Sequence, residues 1–300
     1  RSPVNDVYEQ IKNDLIEASK ILPEAPDSKR LGTAVSGSAK TLLGKVYLTL
    51  KDYDNAVKIL KEVIDSKQYT FIQDYTELFD VDNKNNSESI FEIQYTEAVT
   101  DLGSAFANLF APIGSSEVTG GIGATEGNNE PTRNFYESYN IDDLRRDVSI
   151  GQLADGRIYC KKFVKKPVLP NQSNANFVVL RYTDVLLMYA EALNEISYSS
   201  SGDAIKYLNE VRQRAGLQLY TSQQITGKDE FRNLIWDERR CEFAFENQRW
   251  FDLLRSGKAV EVMNKSSNGD FAIEPYQLLF PIPQNQIDIA PDVMKQNDNY

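Results

Sequence analysis

Three carboxylates at four-residue intervals, Glu238, Glu242 and Glu246, followed by Arg249, stand in the segment WDERRCEFAFENQRWFDLLR from Trp236 to Arg255. Advancing about 100° per residue along a helix puts them on one face with Phe231, Leu234, Ile235, Phe245 and Leu253. Carboxylates in this pattern could bind a metal ion or serve as the acid and base of a glycosidase. A helical metal site of that kind draws histidines from neighbouring helices, and the chain has none. A glycosidase brings its two carboxylates from separated segments across an open cleft, not from one packed face. The arginines offer a simpler account: Arg239, Arg249 and Arg255 on the segment, with Arg181, Arg212 and Arg214 elsewhere, can form forked pairs with the carboxylates in a buried network. An unpaired carboxylate would instead be costly to bury or would protonate. Glu238, Glu242, Glu246 and Arg249 are therefore expected to lock this helix against the rest of the fold. Trp236, Phe243 and Trp250, at seven-residue spacing, form a second, core-packing stripe.

The lack of histidine also removes Ser-His-Asp and Cys-His nucleophiles and imidazole acid–base chemistry. The two cysteines, Cys160 and Cys241, are too few for a disulfide framework and are expected to pack as buried thiols. With 33 basic against 44 acidic residues, a net charge of −11, the chain repels nucleic acid and anionic lipid. No apolar run approaches a bilayer-spanning length, and the first residues carry no signal pattern.

The elements that must position these residues are mainly helical. Val7, Ile11, Leu15 and Ala18 mark an opening amphipathic helix stopped by Pro23 and Pro26. Ala39, Leu42, Leu43, Val46, Tyr47 and Leu50 form a buried helical face, and Ala56, Ile59, Leu60, Val63 and Ile64 form another after a short turn. Leu43, Gly44, Tyr47, Ala56 and Leu60 match the offsets of a tetratricopeptide repeat. A related pair recurs through Leu186, Tyr189, Ala190 and Leu193, then Ala204, Leu208, Val211 and Ala215, capped by Gly216. The predicted class is mostly α, with tetratricopeptide-like hairpins as scaffold and minor β. A strand is expected through Ile90, Glu92 and Gln94. We read residues 1–300 as one domain, with a helical repeat region over 1–95, an irregular region over 96–176 and a C-terminal helical region over 177–300.

So long an irregular segment is usually functional, and only FYESY near Tyr136 suggests a short helix within it. Its rings, flanked by Asn, Glu and Thr, suit a ligand with apolar faces and hydroxyl edges, as a sugar has. We nominate Phe106, Phe110, Tyr136 and Tyr139 for stacking, and Glu117, Glu126, Asn128 and Asn129 for hydroxyl contacts. GGIGATEG at Gly120 to Gly127 is not a phosphate loop: Glu126 fills the third glycine offset and no Lys-Ser/Thr follows. FDVDNKNNSE, with Asp80, Asp82, Asn83 and Asn85, imitates a calcium loop, but Lys84 occupies a ligand offset and the glycine is missing, so a solvated turn is expected. No cofactor or metal is expected.

Longer stretches carry a family resemblance. LRYTDVLLMYAEALNE, LNEVRQRAGL, WDERRCEFAFENQRWFDLLRSG and the ending LLFPIPQNQI through QNDNY resemble the SusD/RagB family, surface nutrient-binding lipoproteins of Bacteroidetes. RSPVNDVYEQIKNDLIEA, the repeat over Leu43 to Ile64, and EPTRNFYESY with Asp142 and Arg145 are similar too, so the likeness covers nearly the whole chain. The resemblance implies a non-catalytic protein on the cell outer membrane, binding oligosaccharide or polysaccharide and passing it to a SusC-like TonB-dependent transporter. A peptide-binding scaffold or peptide-uptake lipoprotein is the alternative. Members normally begin with an acylated cysteine and further helices, whereas this chain opens at the repeat region. That difference leads us to expect a fragment without its lipid anchor.

Overall fold

A computed structural model of the chain describes residues 2–27, 29–267 and 269–300. Helix α1 (Val4–Ile21) lays Ile11, Leu15 and Ala18 half-buried against α2 (Ser36–Thr49) and fully buries no residue. Helices α2 and α3 (Tyr53–Asp65) form the first hairpin, and Asp52 caps α3 by accepting the Asn55 amide at 3.4 Å. Leu42 and Leu50, expected on the buried face, are 41% and 39% exposed. The burial of α2 is carried instead by Ala39, Leu43, Val46 and Leu48. Gly44 allows the close approach: a Cβ there would stand 2.4 Å from Leu60 Cδ2, and Leu60 is fully buried. We expect Gly44→Ala to destabilise the chain by about 1–3 kcal/mol through overpacking, outweighing the roughly 1 kcal/mol that alanine gains in helix propensity. A urea titration checks this, and an unchanged or higher midpoint would show that the hairpin can spread freely.

The second hairpin pairs α7 (Tyr182–Ile196) with α8 (Asp203–Arg214). Helix α7 packs on α3, α8 and the helix Lys228–Glu242 at once, which explains its nearly all-apolar sequence. One core unites Leu60, Val63, Ile90, Val185, Met188 and Tyr189; another unites Leu187, Leu208, Val211, Phe231, Ile235 and Phe243.

Strand β1 (Ser89–Ile93) pairs antiparallel with β4 (Phe177–Arg181), in the register Ile93 to Phe177 and Glu92 to Val178. These strands are far apart in sequence, so the chain between them is one excursion that leaves and re-enters the scaffold through a two-stranded neck. Just beyond the neck, Ser104 and Ser173 exchange backbone hydrogen bonds at 2.8 and 3.0 Å, and their hydroxyls meet at 2.8 Å. The excursion is less irregular than its sequence suggests. It holds the short helices α4 (Phe106–Phe110), α5 (Arg133–Ser138) and α6 (Arg145–Ser149), and a hairpin of β2 (Ile150–Gln152) with β3 (Ile158–Cys160).

The charged segment is not one helix. Helix α9 (Lys228–Glu242) stops, Phe245 and Asn247 take left-handed backbones (φ 67° and 58°), and α10 (Arg249–Ser256) starts afresh. Asparagine tolerates that conformation, whereas a phenylalanine there is strained. Helices α11 (Ala259–Ser266) and α12 (Gln284–Ile289) complete the chain.

Candidate ligand-binding insertion

The insertion is fastened to the scaffold by buried charge. Arg145, 1% exposed at the start of α6, grips Asp143 with two bonds (2.9 and 2.7 Å) and donates to Glu238 at 2.6 Å and Glu242 at 3.0 Å. Lys162, after β3, reaches Glu246 at 2.9 Å and lies 4.7 Å from the Phe79 ring centroid. From the scaffold, Arg181 donates to Glu242 at 2.7 Å and Glu246 at 2.8 Å, and Arg214 to Glu242 at 2.6 Å and Glu88 at 2.8 Å. Burial alone would push the Glu242 carboxyl up, but Arg214, Arg181 and Arg145 outweigh it and hold the group well below the usual carboxylate range. Burial draws the Lys162 ammonium down from its ordinary value, against the pull of Glu246.

The broken helix explains part of this arrangement. A helix that ends leaves its last carbonyls unpaired and carries partial negative charge there. The Glu242 carbonyl accepts from Tyr75 at 2.8 Å, Arg181 at 2.9 Å and Lys162 at 3.2 Å, and the Cys241 carbonyl accepts from Tyr139 at 3.0 Å. Glu238, Glu242 and Glu246 are thus a structural network. Arg249 is not part of it: it begins α10, stands half-buried, and makes no ion pair among the described residues. The break re-phases the helix and also turns Phe245 away, to pack on Phe135 at 6.1 Å. A second network ties Asp184 to Lys45 and Arg239 at 2.7 Å each, and Asp252 to Arg239 at 2.9 Å and Arg255 at 2.8 Å.

The nominated ligand residues divide into three groups. Phe106 and Phe110 stack at 5.4 Å with 16° between their planes, and Phe106 also meets Tyr95, Phe163 and Phe177. Phe106 is therefore the hub of an aromatic cluster, and Phe110, half-buried like it, joins the cluster through Phe106. The loop 126–128 crosses the end of α4, with the Glu126 amide on the Asn108 carbonyl (3.0 Å) and the Asn128 amide on the Leu109 carbonyl (2.7 Å). Glu126 and Asn128 are exposed and bonded to each other at 3.0 Å, and exposed Asn129 follows in a left-handed turn. The backbone that carries these polar side chains thus lies against the helix that carries the two rings. Glu117 is exposed too, held near β2 by the Ala154 amide at 3.4 Å.

Tyr136 and Tyr139 are elsewhere. Tyr136 already has the Arg133 and Arg146 guanidiniums 5.4 and 5.3 Å from its ring centroid, beside an open groove of 900 Å³ bordered by Ile141, Leu144 and Lys161. Tyr139 is 5% exposed, and burial pushes its phenol well above the ordinary value. Its expected stacking role is corrected, because the ring is inside and the hydroxyl caps α9. Tyr139→Phe should cost about 1 kcal/mol for the lost bond and leave oligosaccharide affinity unchanged. Thermal melting and calorimetry measure the two, and a tenfold affinity loss would return the ring to the binding surface.

Sequence reasoning missed Asn108. It is 2% exposed, donates to the Ile122 and Ala124 carbonyls at 2.8 and 2.9 Å, and accepts the Asn171 amide at 3.0 Å. The glycine-rich loop therefore wraps an asparagine, not a phosphate. Lys84 ties its turn to the Tyr95 carbonyl at 2.8 Å and Asn174 at 2.6 Å. Cys160 and Cys241 are unpaired thiols, each pushed up to about 12 by burial.

These features define a helical-repeat scaffold that presents one stapled, aromatic-bearing insertion. The model of the SusD family matches residues 124–300, and the chain belongs to that family. It is 29% identical to SusD-like protein P2 of Formosa agariphila over the whole of this chain and 66% of that protein. Among solved structures, it is similar to surface glycan-binding protein A from Bacteroides thetaiotaomicron in complex with laminarihexaose, with TM-score 0.84 and 27% identity over 98% of this chain and 70% of that one. A laminarin-binding SusD-like protein gives TM-score 0.82 and 29% identity over 100% of this chain and 70% of that one. The chain spans half to just under two thirds of the length of the curated relatives it matches.

Proposed function

We propose that this chain binds oligosaccharide or polysaccharide at the cell surface without catalysis, holding it against the insertion between β1 and β4. The observation that carries this reading is the likeness over 98% of the chain to a glycan-binding protein in complex with laminarihexaose. In support, the half-buried Phe110 ring offers an apolar face to a sugar, and the exposed Glu126, Asn128 and Asn129 offer partners to its hydroxyls. Glu238, Glu242 and Glu246, the helical carboxylates considered for hydrolysis, are each engaged by arginine or lysine. The bound glycan would pass to a SusC-like TonB-dependent transporter in the outer membrane, with the protein held there by an N-terminal lipid anchor. Affinity electrophoresis against neutral polysaccharides, laminarin first, tests the binding. Chromatography of the same mixtures tests for turnover. Retardation with intact glycan is expected; released shorter sugars would overturn the non-catalytic reading.

A further inference from the structure

A cleft of 490 Å³ opens where the α2–α3 turn meets α7, α9 and the end of α10, and none of its lining residues belongs to the insertion. Its walls are held rigid by charge pairs that cancel one another. Arg232 bonds Glu195 at 2.7 Å and pairs with Asp229; Arg255 bonds Glu191 at 2.9 Å and Asp252 at 2.8 Å. Trp236 donates its indole N–H to Glu191 at 3.4 Å, which leaves its half-buried ring along the wall. Four groups of the lining are unspent. Lys51, exposed and with a left-handed backbone (φ 61°), forms no ion pair among the described residues. The Tyr53 hydroxyl and the Asn233 amide find no hydrogen-bond partner among them either, and the fourth is the part of the Trp236 ring that lines the cleft, its other side packing on the core. Lys258 stands at the rim, paired with Glu261 at 3.1 Å.

We propose that this cleft is a second site, separate from the insertion, for a carboxylate-bearing sugar of one or two rings. The size lies within the range of small-molecule pockets, about 300–1,000 Å³. The ring of Trp236 suits the apolar face of a pyranose, and Tyr53 and Asn233 offer both donors and acceptors to hydroxyls. Of the cations lining the cleft, Lys51 is the one that no carboxylate pairs with among the described residues. A ligand that answers all four groups carries hydroxyls and one negative charge, as a uronic acid does.

Isothermal titration of the 300-residue chain with glucuronic acid, glucose and inorganic phosphate tests the assignment. Glucuronic acid should bind at least about tenfold more tightly than glucose, a difference of about 1.4 kcal/mol, and should weaken as salt is raised. Phosphate, lacking the ring, should bind more weakly than glucuronic acid. Lys51→Ala and Asn233→Ala change exposed side chains, so folding is retained; each should weaken glucuronic acid about tenfold and leave laminarihexaose binding at the insertion unchanged. Equal binding of glucose and glucuronic acid, equal binding of phosphate, no binding by wild type, or indifference to both substitutions would overturn it. Loss of laminarihexaose binding alone bears on the insertion, not on this cleft.

Discussion

Glu242→Ala is expected to destabilise the chain by about 3–5 kcal/mol, the range for removing one partner from a buried charge cluster. The side chain is fully buried, and its two oxygens accept from Arg145, Arg181 and Arg214 at 2.6 to 3.0 Å. Removing it leaves three guanidiniums competing for Glu88, Glu238 and Glu246. Glu242→Gln keeps the volume and one acceptor but loses the charge, so it should fall between wild type and alanine. Equilibrium urea unfolding measures both. A Glu242→Ala variant with an unchanged midpoint and abolished glycan binding would make this carboxylate a ligand contact and reverse its assignment.

The same network fixes the response to acid. Glu242, Asp184 and Asp252 are each buried, which pushes them up, but their cationic partners hold all three below their ordinary values. A depressed folded-state pKa gives stability that is present above the unfolded value, roughly 4, and is lost as pH falls through the folded one. Melting temperature should therefore stay level near neutrality and fall steeply below about pH 4. A melting temperature that does not drop in acid would mean that these carboxylates contribute no charge to the fold.

Phe110→Ala is expected to weaken oligosaccharide binding at least about tenfold, or about 1.4 kcal/mol, with little effect on folding. Phe106→Ala should behave differently. Phe106 touches four other rings, so its removal opens a cavity worth about 3–5 kcal/mol of stability. Comparing urea midpoints and calorimetric affinities for the pair separates the ring that supports from the ring that binds. Unchanged affinity in both variants and in Tyr136→Ala would remove aromatic stacking from the account.

The scaffold was legible because its helices obey one period. Leu43, Gly44, Ala56 and Leu60 declare the first hairpin, and Leu208 and Val211 the second, since burial on one face writes a 3.6-residue repeat. The carboxylates at Glu238, Glu242 and Glu246 announced a paired network for the same reason. Their partners were less visible: Arg145 and Lys162 come from about 80 to 100 residues upstream (Glu238 lies 93 residues beyond Arg145, Glu246 84 beyond Lys162), and long-range pairing leaves no local period. The end of α9 was hidden because no Gly or Pro marks it; only Asn247 hints at a left-handed turn, and the capping donors come from Tyr75, Tyr139, Arg181 and Lys162. Within the insertion, the loop bearing Glu126, Asn128 and Asn129 crosses the end of the helix bearing Phe106 and Phe110, while Glu117, Tyr136 and Tyr139 lie elsewhere. Composition reveals that rings are plentiful, but whether a ring faces water depends on contacts such as the one between Tyr139 and Cys241.

The central claim is that the insertion between β1 and β4 holds a glycan. A crystal structure of the chain grown with laminarihexaose tests it most directly. The account predicts sugar density with one ring over Phe110 and hydroxyls within hydrogen-bond distance of Glu126, Asn128 or Asn129. Density seated instead on the α2–α3 hairpin, with the insertion bare, would contradict it.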